Sequence, residues 1–245
     1  MAIGTPKTGV AVCDFKRKES GQGFRSDNRV MFHNLREDLR RYGGPGPQLK
    51  ALLLAPRVWA IVNYRFARWA HTARMPSVAR IPFKALAWLF TFLIDLVTSI
   101  ELPAQTAIGA GLFIPHAGYV IVASNASIGR HCTLTQGVSI GHRAGGDVSG
   151  FDRPIVGDRV YIGPGAAVLG AIEIGDDALI GANAVVIRSV PPRAMVVGNP
   201  ARLISMKGSF DLISYPGMER DPKRLVSLAA SQPSRPDGMF IDREK

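Results

Sequence analysis

Cysteine is scarce in this 245-residue chain. Only Cys13 and Cys132 occur, far apart, so neither a disulfide framework nor a cysteine-built metal cluster is available. Acidic residues are also few, 19 against 30 Lys and Arg, which leaves a net charge of +11. Met1 to Arg29 is polar apart from scattered aliphatics. It lacks the basic, apolar, small-residue order of a secretory signal, which points to a cytoplasmic protein. The longest run that is apolar on all sides, Ala85 to Ile94, is bounded by Lys84 and Asp95 at ten residues. That is short of the ~20 that cross a bilayer, so the run reads as a buried or interfacial helix. No nucleic-acid-binding motif accompanies the basic charge, and nucleic acid is not expected as a partner.

What is present describes a folding chain, with 47% hydrophobic and 20% charged residues. Residues 1–80 hold 15 Lys or Arg against 5 Asp or Glu, so nearly all the excess charge lies there. Two readings of it stay open: peripheral contact of a basic surface with an anionic membrane or acidic partner, or plain solubility. Residues 1–30 read as a mobile tail and 31–100 as an α-helical region. Phe32, Leu35 and Leu39 form one helix face, and Gly43-Gly44-Pro45-Gly46-Pro47 breaks that helix. Trp59, Val62, Phe66 and Trp69 mark a second helix from about Leu49 to Arg74.

From Glu101 the period changes to six. Val156, Ile162, Val168, Ile174, Ile180 and Val186 recur without a slip, and four residues after each comes a small or aliphatic residue, such as Val160, Ala166 or Ala178. An upstream set at Ile108, Ile114 and Val120 gains two residues and resumes at Ile128, Leu134 and Ile140. A period of six fits neither a helix nor one long strand. It fits a mainly β coil with three short flat sides, one inward aliphatic per side and a small residue at each corner. Such coils bury their aliphatic ladder only by stacking. Residues 101–204 therefore read as a solenoid, interrupted by a Gly-rich projecting loop from His142 to Ile155, with 205–245 as a loosely held tail.

The hexads, together with Ile114-Pro115-His116-Ala117-Gly118, the ending Val197-Gly198-Asn199-Pro200-Ala201-Arg202 and upstream Leu35-Arg36-Glu37-Asp38, resemble the serine acetyltransferases among the hexapeptide-repeat acyltransferases. The resemblance implies a left-handed parallel β-helix, a homotrimer or a dimer of trimers, and acetyl-CoA in the groove between subunits. The left hand comes from the resemblance alone, because ordinary parallel crossovers prefer the right.

Acetylating a hydroxyl needs a base to take its proton as the oxygen attacks the thioester, and imidazole, ordinarily near pKa ~6.5, suits the task. His116, two residues past inward Ile114, is expected on the outer face with Gln136, Pro164 and Ala182 stacked above it. By the resemblance His116 is the catalytic base and Glu101 the acidic residue that orients it. Gly141, His142, Pro164, Ala182 and Arg202 are expected at the cofactor, and Asp152 and Arg153 at the acceptor. No metal is expected, since His116, His131 and His142 do not have the spacing of three convergent ligands.

Two departures bear on the acceptor. Pro115 stands where the family carries Asp, and the loop reads Asp152-Arg153-Pro154 where the family has Arg-His-Pro. L-Serine is the first acceptor on this reading, a sugar hydroxyl the second, and a noncatalytic trimeric scaffold the alternative of another class.

Overall fold

The computed structural model describes residues 28–73, 76–124, 126–143 and 153–231. The tail expected over 1–30 lies almost wholly outside them. Four helices come first: α1 Asn28–Arg40, α2 Pro45–Leu54, α3 Pro56–Thr72 and α4 Ser77–Thr98. The single helix expected from Leu49 to Arg74 is two, because Pro56 cannot donate to the preceding turn and Ala55 is extended there. The ten-residue apolar run proves to be the centre of a helix of 22 residues. Lys84 and Asp95 fall on the same side of it, about three turns apart, and do not end it.

Short parallel strands follow, stacked as three sheets. The first face stacks Ile100–Glu101, Val120–Val122, Ser139–Gly141, Ala167–Leu169 and Val185–Val186. The second stacks Ala107–Ile108, Ser127–Ile128, Ile155–Val156 and Glu173–Ile174. The third stacks Thr133–Leu134, Tyr161–Ile162, Leu179–Ile180 and Met195–Val197, and the antiparallel strand Arg202–Ser205 closes it. Inside run three aliphatic columns, Val122-Ile140-Val168-Val186, Ile108-Ile128-Val156-Ile174 and Leu134-Ile162-Ile180-Val196, all buried. Each such side chain is worth roughly 1.5–3 kcal/mol on burial, and the spaced hexads deliver one per side.

The open edge of the first coil is met by helix side chains, one per inward aliphatic. Thr98 Oγ1 accepts from Ile100 N at 3.2 Å. The Tyr64 hydroxyl accepts from Ile108 N at 3.1 Å, and that of Tyr42 donates to Ile114 O at 2.9 Å. Asp38 Oδ1 accepts from Leu112 N at 2.8 Å, and Arg65 donates to Ile108 O and Gly109 O at 2.7 and 2.6 Å. Asp38 and Arg65 are themselves a buried bidentate pair at 2.7 and 3.0 Å. Burial works against the Arg65 charge, and the facing Asp38 carboxylate more than offsets it, raising the guanidinium above its ordinary value.

The described part of the segment after Ser205, residues 206–231, does not hang loose. It runs back along the corner between the second and third faces, where His131, Arg159 and Asp177 take left-handed backbone conformations one above another. Ser209 N donates to Asp177 O at 2.9 Å and Ser209 Oγ to Arg159 O at 2.6 Å. Arg159 is locked to Asp177 by a buried bidentate pair at 2.6 and 2.9 Å. Tyr215 then stacks flat on His131, with centroids 3.8 Å apart, and its hydroxyl donates to Asp221 at 2.6 Å. His131 is therefore covered. Burial first, then the Arg130 and Arg41 charges, push its imidazole down to about 4.

Two outcomes follow. Asp38→Ala, by stranding the Arg65 charge, is expected to cost about 3–5 kcal/mol, while Asp38→Leu with Arg65→Met costs less than Asp38→Ala alone; denaturant unfolding measures both. His131 is neutral in the folded chain down to about pH 4, whereas the unfolded side chain takes its proton near 6.5. Its contribution is therefore complete above about 6.5 and is lost as pH falls toward 4. Stability measured at pH 7.5 and 4.5 is expected to fall less steeply in His131→Asn than in the parent; equal slopes would contradict the assignment.

Candidate active site

The six-residue ladder is broken once on the way into the first face, and His116 sits at the break. Val122, not Val120, pairs with Ile140, while Val120 pairs with Ile100 below. The two extra residues therefore lie between Ile114 and Val122, not after Val120 as the spacing suggested. They enlarge the corner Pro115-His116-Ala117-Gly118-Tyr119. Gly118 turns it at φ +120°, where an added side chain would have room but the backbone conformation disfavours any L residue. His116 and Ala117 are exposed on this bulge.

The same shift moves the column that stands above this corner. Gly137 N donates to Gly118 O at 3.1 Å, Gly165 N to Gln136 O at 2.9 Å and Asn183 N to Pro164 O at 2.8 Å. The corner column is therefore Gly118-Gln136-Pro164-Ala182, with His116 standing beside its foot and not beneath Gln136. Three steps at the ~4.8 Å strand spacing make a strip about 14 Å long, short-chained except at Gln136. A thin, extended molecule fits such a strip. Gln136 Oε1 is buried without a hydrogen-bond partner, so the strip offers an amide donor an acceptor beside the His116 corner.

Glu101 projects outward from the first strand of the first face, in register with Ile121 of the strand that His116 leads into. A carboxyl the sequence reading did not single out lies nearby. Asp95, on the last turn of α4, is pushed up to about 6, first by burial and then by the charge of Glu101. Its only sequence signal is its position six residues before Glu101, across the helix end. Ser99, left-handed at φ 52°, folds that end back onto the first strand.

The other expected site residues lie elsewhere in one chain. Gly141 ends the third strand of the first face, with His142 exposed just beyond, so both are at the far edge of that face from His116. Arg153 enters the second face from the same corner, half-buried, and Asp152 is outside the described residues. Arg202 stands exposed in the closing antiparallel strand, beside a cavity of about 210 Å³ that Ile187, Arg188, Pro191 and Ala201 also line. It is at the opposite end of the solenoid from His116. A single chain thus puts Glu101 on the strand that pairs with the one His116 leads into, and Pro164 and Ala182 above the His116 corner. It does not bring Gly141, His142, Arg153 or Arg202 to them.

Residues 153–188 match the family model for the bacterial transferase hexapeptide (six repeats). A serine acetyltransferase of Synechococcus elongatus is 36% identical over 204 residues, covering 83% of this chain and 77% of that protein. Soybean serine acetyltransferase complexed with serine superposes at a TM-score of 0.59 and 33% identity, covering 74% of this chain and 72% of that one. The serine acetyltransferase of Brucella abortus in complex with coenzyme A gives 0.59 and 26%, covering 72% and 67%. The chain is a member of the serine acetyltransferase family of hexapeptide-repeat transferases.

Proposed function

We propose that the chain is a serine O-acetyltransferase, moving an acetyl group from acetyl-CoA to the hydroxyl of L-serine in cysteine biosynthesis, with His116 as general base. The observation that carries this reading is the exposed imidazole on an enlarged corner at the foot of a strip long and narrow enough for a thioester arm. The coenzyme A complex of one relative and the serine complex of another support the two substrates. His116 takes the hydroxyl proton as the oxygen bonds to the thioester carbonyl carbon. The carbon–sulfur bond then breaks, and the proton passes to the departing thiolate, leaving O-acetylserine and free coenzyme A. Glu101 is assigned to orient the imidazole, and Asp95 adds carboxyl character beside it.

The solenoid is assigned a left-handed winding, and the working unit a homotrimer or a pair of trimers. One chain holds His116 and Gly141 at opposite edges of the first face, and abutting copies would bring one edge against the other. In that seam Pro164, Ala182, Gly141, His142 and Arg202 would face acetyl-CoA, with Asp152 and Arg153 gripping the acceptor's carboxylate. Residues 31–100 would serve as a base for residues 101–204. A second reading, acetylation of a sugar hydroxyl, draws on Pro115, which leaves no carboxylate directly before His116.

Thiol release from acetyl-CoA, measured with serine and with sugar acceptors, decides between them. Serine turnover at millimolar concentration is expected, and its absence alongside sugar turnover would move the assignment to the second reading. His116→Ala is expected to lose roughly 10²–10⁴ in turnover while keeping the assembly's mass. A variant with unchanged turnover would remove His116 from the chemistry.

A further inference from the structure

Helix α4 is far more apolar than its packing requires. Phe83, Ala87, Thr91, Ile94 and Thr98 form the stripe that meets α3, with the Trp69 and Phe83 rings edge to face at 5.4 Å and Asn63 donating to Thr91 at 2.7 Å. At 100° per residue, nearly everything outside this stripe is apolar as well, and its charged exceptions, Lys84 and Asp95, fall along one edge about three turns apart. Val78, Ile81, Trp88, Phe92 and Leu96 point away from α3 and are 58–79% exposed. Between α4 and α3, with Leu52 of α2 also on its wall, the apolar surface continues into a groove of about 600 Å³, lined by Leu52, Trp59, Phe66, Leu86, Phe90 and Leu93. A contiguous apolar surface of this kind on a water-soluble fold marks a contact site.

Charge identifies the occupant. Residues 45–98 carry Lys50, Arg57, Arg65, Arg68, Arg74, Arg80 and Lys84 against Asp95 alone. Arg65 is taken up by Asp38, Arg68 donates to the Ala104 and Thr106 carbonyls and Arg80 to that of Ala73, while Lys50 and Lys84 stand exposed on α2 and α4. Two copies meeting through these helices would set like charge against like charge. An anionic lipid surface would be attracted by the same residues that a second copy would repel.

The helix is also long enough to cross a bilayer by length and composition, Val78–Thr98 having a mean hydropathy of 1.6 over its most apolar window, 11% of it buried. It is not free to do so alone. Its partner α3 is tied to the first coil by Tyr64 and Arg65, and one residue after Thr98 the chain enters that coil. We propose that the outer face of α4, with the adjoining groove, docks in the plane of an anionic membrane surface, its apolar ridge among the acyl chains and its basic residues at the headgroups. This does not depend on the acetyl-transfer reading, and its test is separate.

The test is flotation of the full chain with vesicles of phosphatidylcholine containing roughly 30% phosphatidylglycerol, compared with phosphatidylcholine alone. Expected are binding to the anionic vesicles at least about tenfold tighter than to neutral ones, and a loss of about tenfold or more in Phe92→Glu/Leu96→Glu. That variant is expected to keep its thermal unfolding temperature, since neither side chain packs on α3. Lys50→Glu/Lys84→Glu is expected to lose binding to the anionic vesicles only. The proposal is overturned if the parent chain does not float, if either pair of substitutions leaves anionic binding intact, or if neutral vesicles bind equally well. It is also overturned if Phe92→Glu/Leu96→Glu halves the mass of the lipid-free assembly, because a second copy would then be the occupant.

Discussion

A coil with sides only a few residues long has no inside until another coil lies on it, and its first turn always leaves one backbone edge unpaired. Side chains from the helical region below that edge satisfy it. Tyr64, Tyr42 and Thr98 each meet the backbone of one inward aliphatic, Ile108, Ile114 and Ile100, and Asp38 and Arg65 fill the corner between them. Unsatisfied, each such group would cost on the order of 1–3 kcal/mol. The aliphatic columns above can then add burial coil by coil.

The same edge sets the geometry of the candidate site. Because α4 must end where the first strand begins, Asp95 comes close enough to feel the charge of Glu101, which adds to burial, the larger cause, in raising the Asp95 pKa to about 6. One coil higher, two extra residues open the corner that carries His116. Regular corners bury their small residue, as Ala166 and Ala184 do, and an enlarged one can project a side chain. The break in the repeat and the exposed imidazole are therefore one feature.

The C-terminal segment acts as a strap on the corner away from His116. His131, Arg159 and Asp177 hold left-handed conformations that cost free energy in non-glycine residues, and Tyr215, Ser209 and the Arg159–Asp177 pair offset it. The strap reaches Arg41, which donates to Ser214 O at 3.0 Å and to Gly111, His131 and Cys132 carbonyls. The helical base, the solenoid and the strap thus share one arginine.

Periodicity alone revealed the parallel coil, because an aliphatic at every sixth position satisfies no other regular backbone, and it identified the inward residues of nearly every strand. It was blind to where the two-residue insertion lies. Val120 and Val122 are both aliphatic and both two-residue neighbours on one strand, so either could head the column, and only strand pairing chose. Likewise Lys84 and Asp95 looked like helix limits because a sequence has no azimuth; in three dimensions they share one edge of a helix that passes between them. The strap, the buried His131 and the orphaned Gln136 acceptor depend on contacts between residues distant in the chain. Those contacts were decided by packing and backbone satisfaction, which no local pattern of residue types records.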